Sequence, residues 1–246
     1  EISCSLVGSE MCIRDSPNSE LIQSIVNVPN LVQVPDPLIK QAYQFQEAMM
    51  MYTCAIRELK TKLEVLNDEL SVRNSRNPIE MVKSRVKKPI SIVEKLQRRG
   101  YPVSLESMME HLDDVAGVRV ICSFVDDIYA VAEMLTRQDD VHIIAIKDYI
   151  SNPKNNGYRS YHMIVEIPVF FSEQKKWMRV EVQIRTIAMD FWASLDHQLK
   201  YKKEMQDHSE EISAELRECA DIIANTDERM LNIRKKIEAQ GIAITK

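Results

Sequence analysis

The chain has 246 residues, 45% of them hydrophobic and 28% charged, which suits one large or two small domains with a buried core. No apolar run approaches the roughly 18 to 20 residues of a membrane helix, and no basic stretch leads into an apolar signal core, so a cytoplasmic protein without membrane association is expected. The net charge of -5 disfavours a wholesale nucleic-acid coat but leaves room for a local basic site.

Residues 5–16, SLVGSEMCIRDS, join poorly to the rest of the chain, and 1–16 read as a non-native or disordered leader to a single domain over 17–246. Pro35-Asp36-Pro37 opens a long helix expected over 36–73, because Asp caps well and Pro is tolerated in a first turn. Met49, Tyr52, Ile56, Leu59, Leu63, Leu66 and Leu70 give it a 3.5-residue stripe, and Ile212, Leu216, Cys219, Ile223, Thr226, Met230, Ile233 and Ile237 give a second such helix over 208–239. Each stripe suits a helix covering its own core or a subunit interface.

Between these helices lie short β-branched runs that predict strands: 115–124, 141–146, 161–167 and 177–184. Segments 91–99, 104–113 and 126–138 predict helices, and 171–176 a hairpin loop. The expected fold class is α/β, or α+β: a mixed sheet flanked by helices, with a core over about 79–204 and long helical extensions at both ends.

Five glycines stand too far apart for the Gly-rich phosphate loops, so a nucleotide site must use side-chain cations. There is no H-E-x-x-H and no G-x-S-x-G. The cysteines, at 4, 12, 54, 122 and 219, lack a C-x-x-C pair and read as reduced thiols. Residues 85–99, RVKKPISIVEKLQRR, hold six Lys or Arg against one Glu. Lys95 and Arg98 or Arg99, after a Ser91 able to cap a helix, suit a polyphosphate as well as a solvated helix face.

The stretch 147–162, KDYISNPKNNGYRSYH, reads as a loop. Tyr158 offers a flat face for a nucleobase, and Lys147, Lys154, Arg159 and His162 offer positive hydrogen-bond donors. Asp114 opens one predicted strand and Glu181 lies in another. Carboxylates from two neighbouring strands can hold Mg²⁺, which takes its remaining ligands from water and phosphate. Together these features suggest Mg²⁺-dependent transfer between two nucleotides.

RVKKPISIVEKLQRRG, DDVAGVRVIC, KDYISNPKNNGYRSYH, VEVQIRT and DFWASLDHQLKYK, in that order, resemble the synthetase domain of the RelA/SpoT-like enzymes from about Asp36 to Ala239. With no upstream hydrolase domain, and with His111-Leu112-Asp113 unlike that domain's metal motif, the chain resembles a stand-alone small alarmone synthetase. The resemblance implies a nucleotidyltransferase-like synthetase fold and transfer of the β,γ-pyrophosphate of ATP to the 3′-hydroxyl of GDP or GTP. The products would be ppGpp or pppGpp, the alarmones of the stringent response, and AMP.

The resemblance further implies Asp114 and Glu181 as the catalytic residues and Mg²⁺ ligands, with Glu181 placed to orient or deprotonate the 3′-hydroxyl. Arg85, Lys87, Ser91, Lys95, Arg98, Arg119 and Lys147 match ATP-handling positions, although Lys147 replaces the Arg of some members and loses its stacking plane. Lys154, Asn156, Tyr158, His162, Gln183 and Ala193 match the GDP or GTP contacts, Tyr158 by stacking on guanine. A homotetramer through the terminal helices is implied. The subgroup activated by its own product has Phe, Thr and Asn where this chain has Met81, Lys83 and Asp190, and a regulatory RNA or alarmone stays open. Two other functions stay open: pyrophosphate transfer to adenine nucleotides or the 3′ end of tRNA, and a noncatalytic nucleotide- or RNA-binding module.

Overall fold

The computed structural model describes residues 36–74, 76–201 and 209–240, so the leader 1–16 lies outside the described residues. The chain divides into two compact units, 1–49 and 50–246. Of the first, the described part is the opening of helix α1 (Asp36–Asn74). In the second unit the rest of α1 is followed by β1 (Ile79–Val86), α2 (Pro89–Arg98), α3 (Leu105–His111), β2 (Ala116–Cys122), α4 (Val125–Thr136) and β3 (His142–Asp148). Then come β4 (Tyr161–Phe170), β5 (Lys175–Thr186), α5 (Ile187–Tyr201) and α6 (Ser209–Ala239).

The strands form one mixed sheet in the order β1-β2-β5-β4-β3. Strands β2 and β5 run parallel, an arrangement that needs the long connection between them; the remaining pairs are antiparallel. The mixed sheet with flanking helices agrees with the expected fold class. Strand β1 and helix α5 are additions to the sequence reading. Lys83 and Arg85 make β1 look like part of a basic helix, and the apolar residues of α5 are interrupted by Asp190, Ser194 and Asp196.

Local chemistry sets the boundaries. Pro89 occupies the first turn of α2, where a missing N–H costs nothing, and Gly100 at φ 76 ends the helix with its N–H on Gln97 O. Lys88, not Ser91, is the N-cap; Ser91 lies inside the helix, which corrects the expected cap. Ser104 caps α3 by accepting from the Ser107 N–H at 3.1 Å. The 147–162 stretch is a loop only at its centre, because β3 runs to Asp148 and β4 begins at Tyr161.

On β5, Val180, Val182 and Ile184 are fully buried and alternate with Glu181 and Gln183. Helix α4 packs over β2 and β5 with Ile128, Val131 and Leu135 buried. The second-unit part of the α1 stripe is buried at Tyr52, Ile56, Leu59 and Leu63, in keeping with a core role for that half. The α6 stripe divides: Ile223 is half-buried, whereas Met230 and Ile233 are exposed. The buried line of α6 instead runs through Ala220, Asp227 and Arg234. Arg234 pairs with Asp126 and sits 4.8 Å over the Phe124 ring, fixing α6 to the start of α4. Among the described residues, no helix is long and apolar enough to cross a membrane, and Cys54, Cys122 and Cys219 are free thiols.

Thr186 joins β5 to α5: its hydroxyl accepts from the Met189 N–H and donates to Asp227 Oδ2 at 2.6 Å. Burial raises the Asp227 carboxyl above 3.8, a shift the Thr186 hydrogen bond only partly opposes. The folded state therefore holds this proton more tightly than the unfolded chain. Asp227 thus makes a contribution to stability that declines as pH rises from 3.8 through the folded value. Asp227→Asn is expected to flatten that part of the stability profile and to raise the melting temperature at neutral pH. Thermal unfolding from pH 4 to 8 checks both.

Candidate active site

The sheet register assembles the site. Arg119 on β2 pairs with Lys83 on β1 and with Gln183 on β5; Gln183 pairs with His162 on β4, and His162 with Lys147 on β3. One transverse row thus crosses all five strands with polar side chains. The adjacent row contains Arg85, Gly117 and Glu181. Directly paired residues project to the same face, so the two rows share the face opposite Val180 and Val182.

Two clefts open over these rows. The first is lined by Lys83, Arg85, Asp114, Gly117, Arg119, Glu181 and Gln183. The second, of about 670 Å³, is lined by Arg85, Arg119, Tyr158, Gln183, Arg185, Ala193 and the following turn of α5. Arg85, Arg119 and Gln183 belong to both. Two neighbouring compartments with a shared cationic wall suit two phosphorylated ligands that must meet.

Asp114, just before β2, accepts at Oδ2 from Lys87 at 2.9 Å and Lys95 at 2.7 Å. Burial pushes its carboxyl upward, but the two ammonium groups outweigh that effect and leave it below the ordinary carboxylate range. Its Oδ1 is buried without a hydrogen-bond partner. Burial likewise raises Glu181, yet His162 at 3.3 Å and the Gln183 amide at 2.9 Å bring it below its ordinary value despite the charge of Asp114. Two ionised carboxylates, one with a buried oxygen lacking a donor, form the hard oxygen set that Mg²⁺ takes while completing its shell with water and phosphate. The donor set therefore fits the expected ion.

A hydrogen-bonded chain leads away from Glu181. His162 Nδ1 faces the carboxylate, and its Nε2 lies 2.8 Å from Tyr158 Oη. Burial lowers the His162 pKa from 6.5, against the pull of Glu181 and with added repulsion from Arg185 and Lys154. In the neutral ring Nδ1 donates to Glu181, leaving Nε2 to accept the Tyr158 hydroxyl proton. That hydroxyl in turn accepts from Arg185, which also donates to Gln183 Oε1 at 2.8 Å. Every polarity in this circuit is satisfied.

Tyr158 stands in a loop folded on itself: Gly157 N–H donates to Lys154 O, and Lys154 N–H to Tyr158 O. The Lys154 ammonium lies 4.7 Å from the Tyr158 ring centre and 4.5 Å from that of Tyr149. Asn156 accepts from the Tyr158 N–H and donates to Asp196. Ala193 reaches the second cleft from α5.

Of the expected residues, Asp114, Glu181, Arg85, Arg119, Tyr158, Gln183 and Ala193 line the two clefts, while Lys87 and Lys95 reach them through Asp114, His162 through Glu181, and Lys154 and Asn156 through Tyr158. Lys147 is exposed on β3 beside His162, while Arg98 is exposed at the end of α2 and Ser91 is half-buried within that helix; none of the three lines either cleft. Sequence reasoning missed Arg185 and the role of Asp190. The signal for Arg185 was present, since it follows Glu181 and Gln183 at period two. Asp190, in the first turn of α5, is 7% exposed and meets Lys83 and Arg119 at 3.0 Å and Arg185 at 3.3 Å. Its role depends on the β5-α5 corner, which no short motif announces.

The family described as a region found in RelA/SpoT proteins matches residues 84–206. The chain belongs to that family, as a small alarmone synthetase. It is 44% identical over 194 residues to GTP pyrophosphokinase YwaC of Bacillus subtilis, covering 79% of this chain and 92% of that protein. It is 36% identical to GTP pyrophosphokinase YjbM of the same organism, covering 82% and 94%. Among solved structures, small alarmone synthetase 2 of B. subtilis matches with a TM-score of 0.70 at 44% identity, over 78% of this chain and 99% of the other. Small alarmone synthetase 1 of B. subtilis bound to its product pppGpp matches with a TM-score of 0.72 at 37% identity, over 80% and 99%.

The chain has five histidines, few enough for each ring to be followed by NMR. The His162 ring is expected to titrate below 6.5, and Glu181→Gln to move it lower still, because that carboxylate opposes the effect of burial. An upward move in Glu181→Gln would contradict the assigned circuit.

Proposed function

We propose that this protein is a GTP pyrophosphokinase, which transfers the β,γ-pyrophosphate of ATP to the 3′-hydroxyl of GDP or GTP. The observation that carries this reading is that Asp114 and Glu181 together line a cleft whose wall of Arg85, Arg119 and Gln183 also lines the neighbouring cleft. The comparisons support it, since two proteins named GTP pyrophosphokinases match over most of the chain and one solved neighbour holds pppGpp.

In this reading ATP occupies the cleft bounded by Arg85, Lys87, Lys95 and Arg119, with Ser91, Arg98 and Lys147 as outlying contacts. The acceptor occupies the cleft around Tyr158, with guanine stacked on its ring and Lys154, Asn156, His162, Gln183 and Ala193 around it. Asp114 and Glu181 hold Mg²⁺, which, when bound, offsets phosphate charge and polarises the transferred group. The cations that pair with carboxylates at rest can exchange them for phosphate oxygens as ATP enters.

Glu181 orients the 3′-hydroxyl and accepts its proton. The 3′-oxygen bonds to the β-phosphorus of ATP, the bond from that phosphorus to the α,β-bridging oxygen breaks, and AMP leaves with the bridging oxygen. Lowered carboxyl pKa values keep both acids ionised at neutral pH, so Glu181 acts chiefly by placement, while His162 and Gln183 fix its two oxygens. No covalent enzyme intermediate is needed. The protein works in the cytoplasm, and the exposed apolar residues of α6 are consistent with homotetramer assembly through the terminal helices.

Incubation with Mg²⁺, γ-labelled ATP and either GDP or GTP is expected to place label in ppGpp or pppGpp with matching AMP. Asp114→Asn and Glu181→Gln should each reduce turnover by at least about a hundredfold. Tyr158→Ala should weaken acceptor binding by roughly 1 to 3 kcal/mol while sparing ATP. Binding of both nucleotides without AMP release would favour a noncatalytic module. Labelling of RNA that saturating GDP does not suppress would favour the tRNA-directed alternative. Light scattering that returned a monomer would remove the tetramer.

A further inference from the structure

Arg159 is a cation of the Tyr158 loop whose side chain turns away from both clefts. Its guanidinium Nη1 donates to Gly157 O at 3.1 Å and to Ala220 O at 3.2 Å, and its Nη2 donates to Asp221 Oδ1 at 2.8 Å. Ala220 and Asp221 belong to α6. Arg159 is thus committed to binding the loop to the C-terminal helix, in contrast to its expected place among the phosphate donors.

Three other contacts converge on the same junction. Arg217 of α6 donates to Asn155 O at 3.4 Å, and the Trp192 indole of α5 donates to Leu216 O at 2.8 Å. Gly157 is buried at φ +85, and a β-carbon there would stand 2.6 Å from the Ala220 β-carbon and 3.3 Å from Arg217 Cα. Only glycine permits both that backbone conformation and that approach. The residues on either side of Tyr158 are therefore seated against α6, while its hydroxyl is held from the opposite side by His162 and Arg185.

Resting on the acceptor assignment above, we infer that Arg159 is a positioning residue for the guanine nucleotide, acting through Tyr158, and that α6 is part of the acceptor site although it touches no substrate. A free loop would have to be ordered when the acceptor binds, and that cost would appear in the acceptor KM. The guanidinium suits the task because its planar fork reaches two carbonyls and a carboxylate at once; a lysine has no such fork. The Asp221 end of the pair is 57% exposed and carries the smaller share, whereas the backbone carbonyl contacts lie inward.

The test is steady-state kinetics on the full chain with the acceptor and ATP varied separately, and thermal melting of each variant in parallel. Arg159→Ala is expected to raise the acceptor KM about tenfold or more, as loss of a charge-assisted hydrogen bond would. The ATP KM should stay within about twofold, because Arg159 and its partners line neither cleft. Arg159→Lys should fall between the two, and Asp221→Ala, at an exposed position that folding tolerates, should raise the acceptor KM about two- to fivefold. Ala220→Leu, which crowds Gly157 from the helix side, should reproduce Arg159→Ala without altering the loop sequence. An unchanged acceptor KM in Arg159→Ala and Asp221→Ala, or equal rises in both KM values together with a lower melting temperature, would overturn this role while leaving the pyrophosphokinase intact. Absence of transfer to guanine nucleotides in the unaltered protein would remove both readings.

Discussion

The site depends on the alternation of β5. This strand is the third of five, with a parallel neighbour on one side and an antiparallel one on the other, so both of its edges are hydrogen-bonded and its register cannot slip. A shift of one residue would turn Glu181 and Gln183 toward the core and expose Val180, Val182 and Ile184. The hydrophobic cost of that exchange exceeds any local preference of the polar residues. The candidate site is thus held in place by residues that do not line it. Strands β2 and β4 inherit the same register, and so Arg119 and His162 fall in line with Gln183.

A face with this many cations must be neutralised when no polyanion is present. Asp114 meets Lys87 and Lys95, and Asp190 meets Lys83, Arg119 and Arg185. Buried charges without partners would be costly, and these pairings offset that cost within the site itself. They also leave the cations oriented. A phosphate that replaces Asp190 beside Arg119 meets a donor already held in a narrow range of positions, which reduces the ordering still to be done. The two carboxylates differ in character. Asp114 retains a buried oxygen without a donor, whereas Asp190 is shared by three cations and sits at the base of α5.

The sheet was legible in the sequence because its strands are β-branched runs of the right length. Most of the candidate site residues drew notice because they sit in dense, unusual stretches such as 147–162. Strand β1 was not, since an exposed edge strand carrying Lys83 and Arg85 has the composition of a basic helix, and its strand state is fixed by pairing with β2. Ser91 shows a similar limit: a residue suited to capping is overruled when a proline two positions earlier starts the helix. Asp190 and Arg185 join the candidate site only through the corner at Thr186, a tertiary feature. Arg159 had the composition of a phosphate ligand, and only the position of α6 redirected it.

That redirection bears on the loop to which the proposed reading assigns the acceptor. A loop of 12 residues between β3 and β4 would ordinarily be the least ordered part of a site, and an aromatic platform on it would bind its base weakly. Here Tyr158 is constrained on opposite sides, by the hydrogen-bonded circuit through its hydroxyl and by α6 through its backbone neighbours. The circuit links the platform to Glu181, and the helix links it to the buried Thr186, Asp227 and Arg234 contacts that fix α6 to the sheet and to α4. In the proposed reading, guanine recognition at Tyr158 and proton acceptance at Glu181 thus share one frame, completed by a helix that a motif-based account of the site would leave outside it.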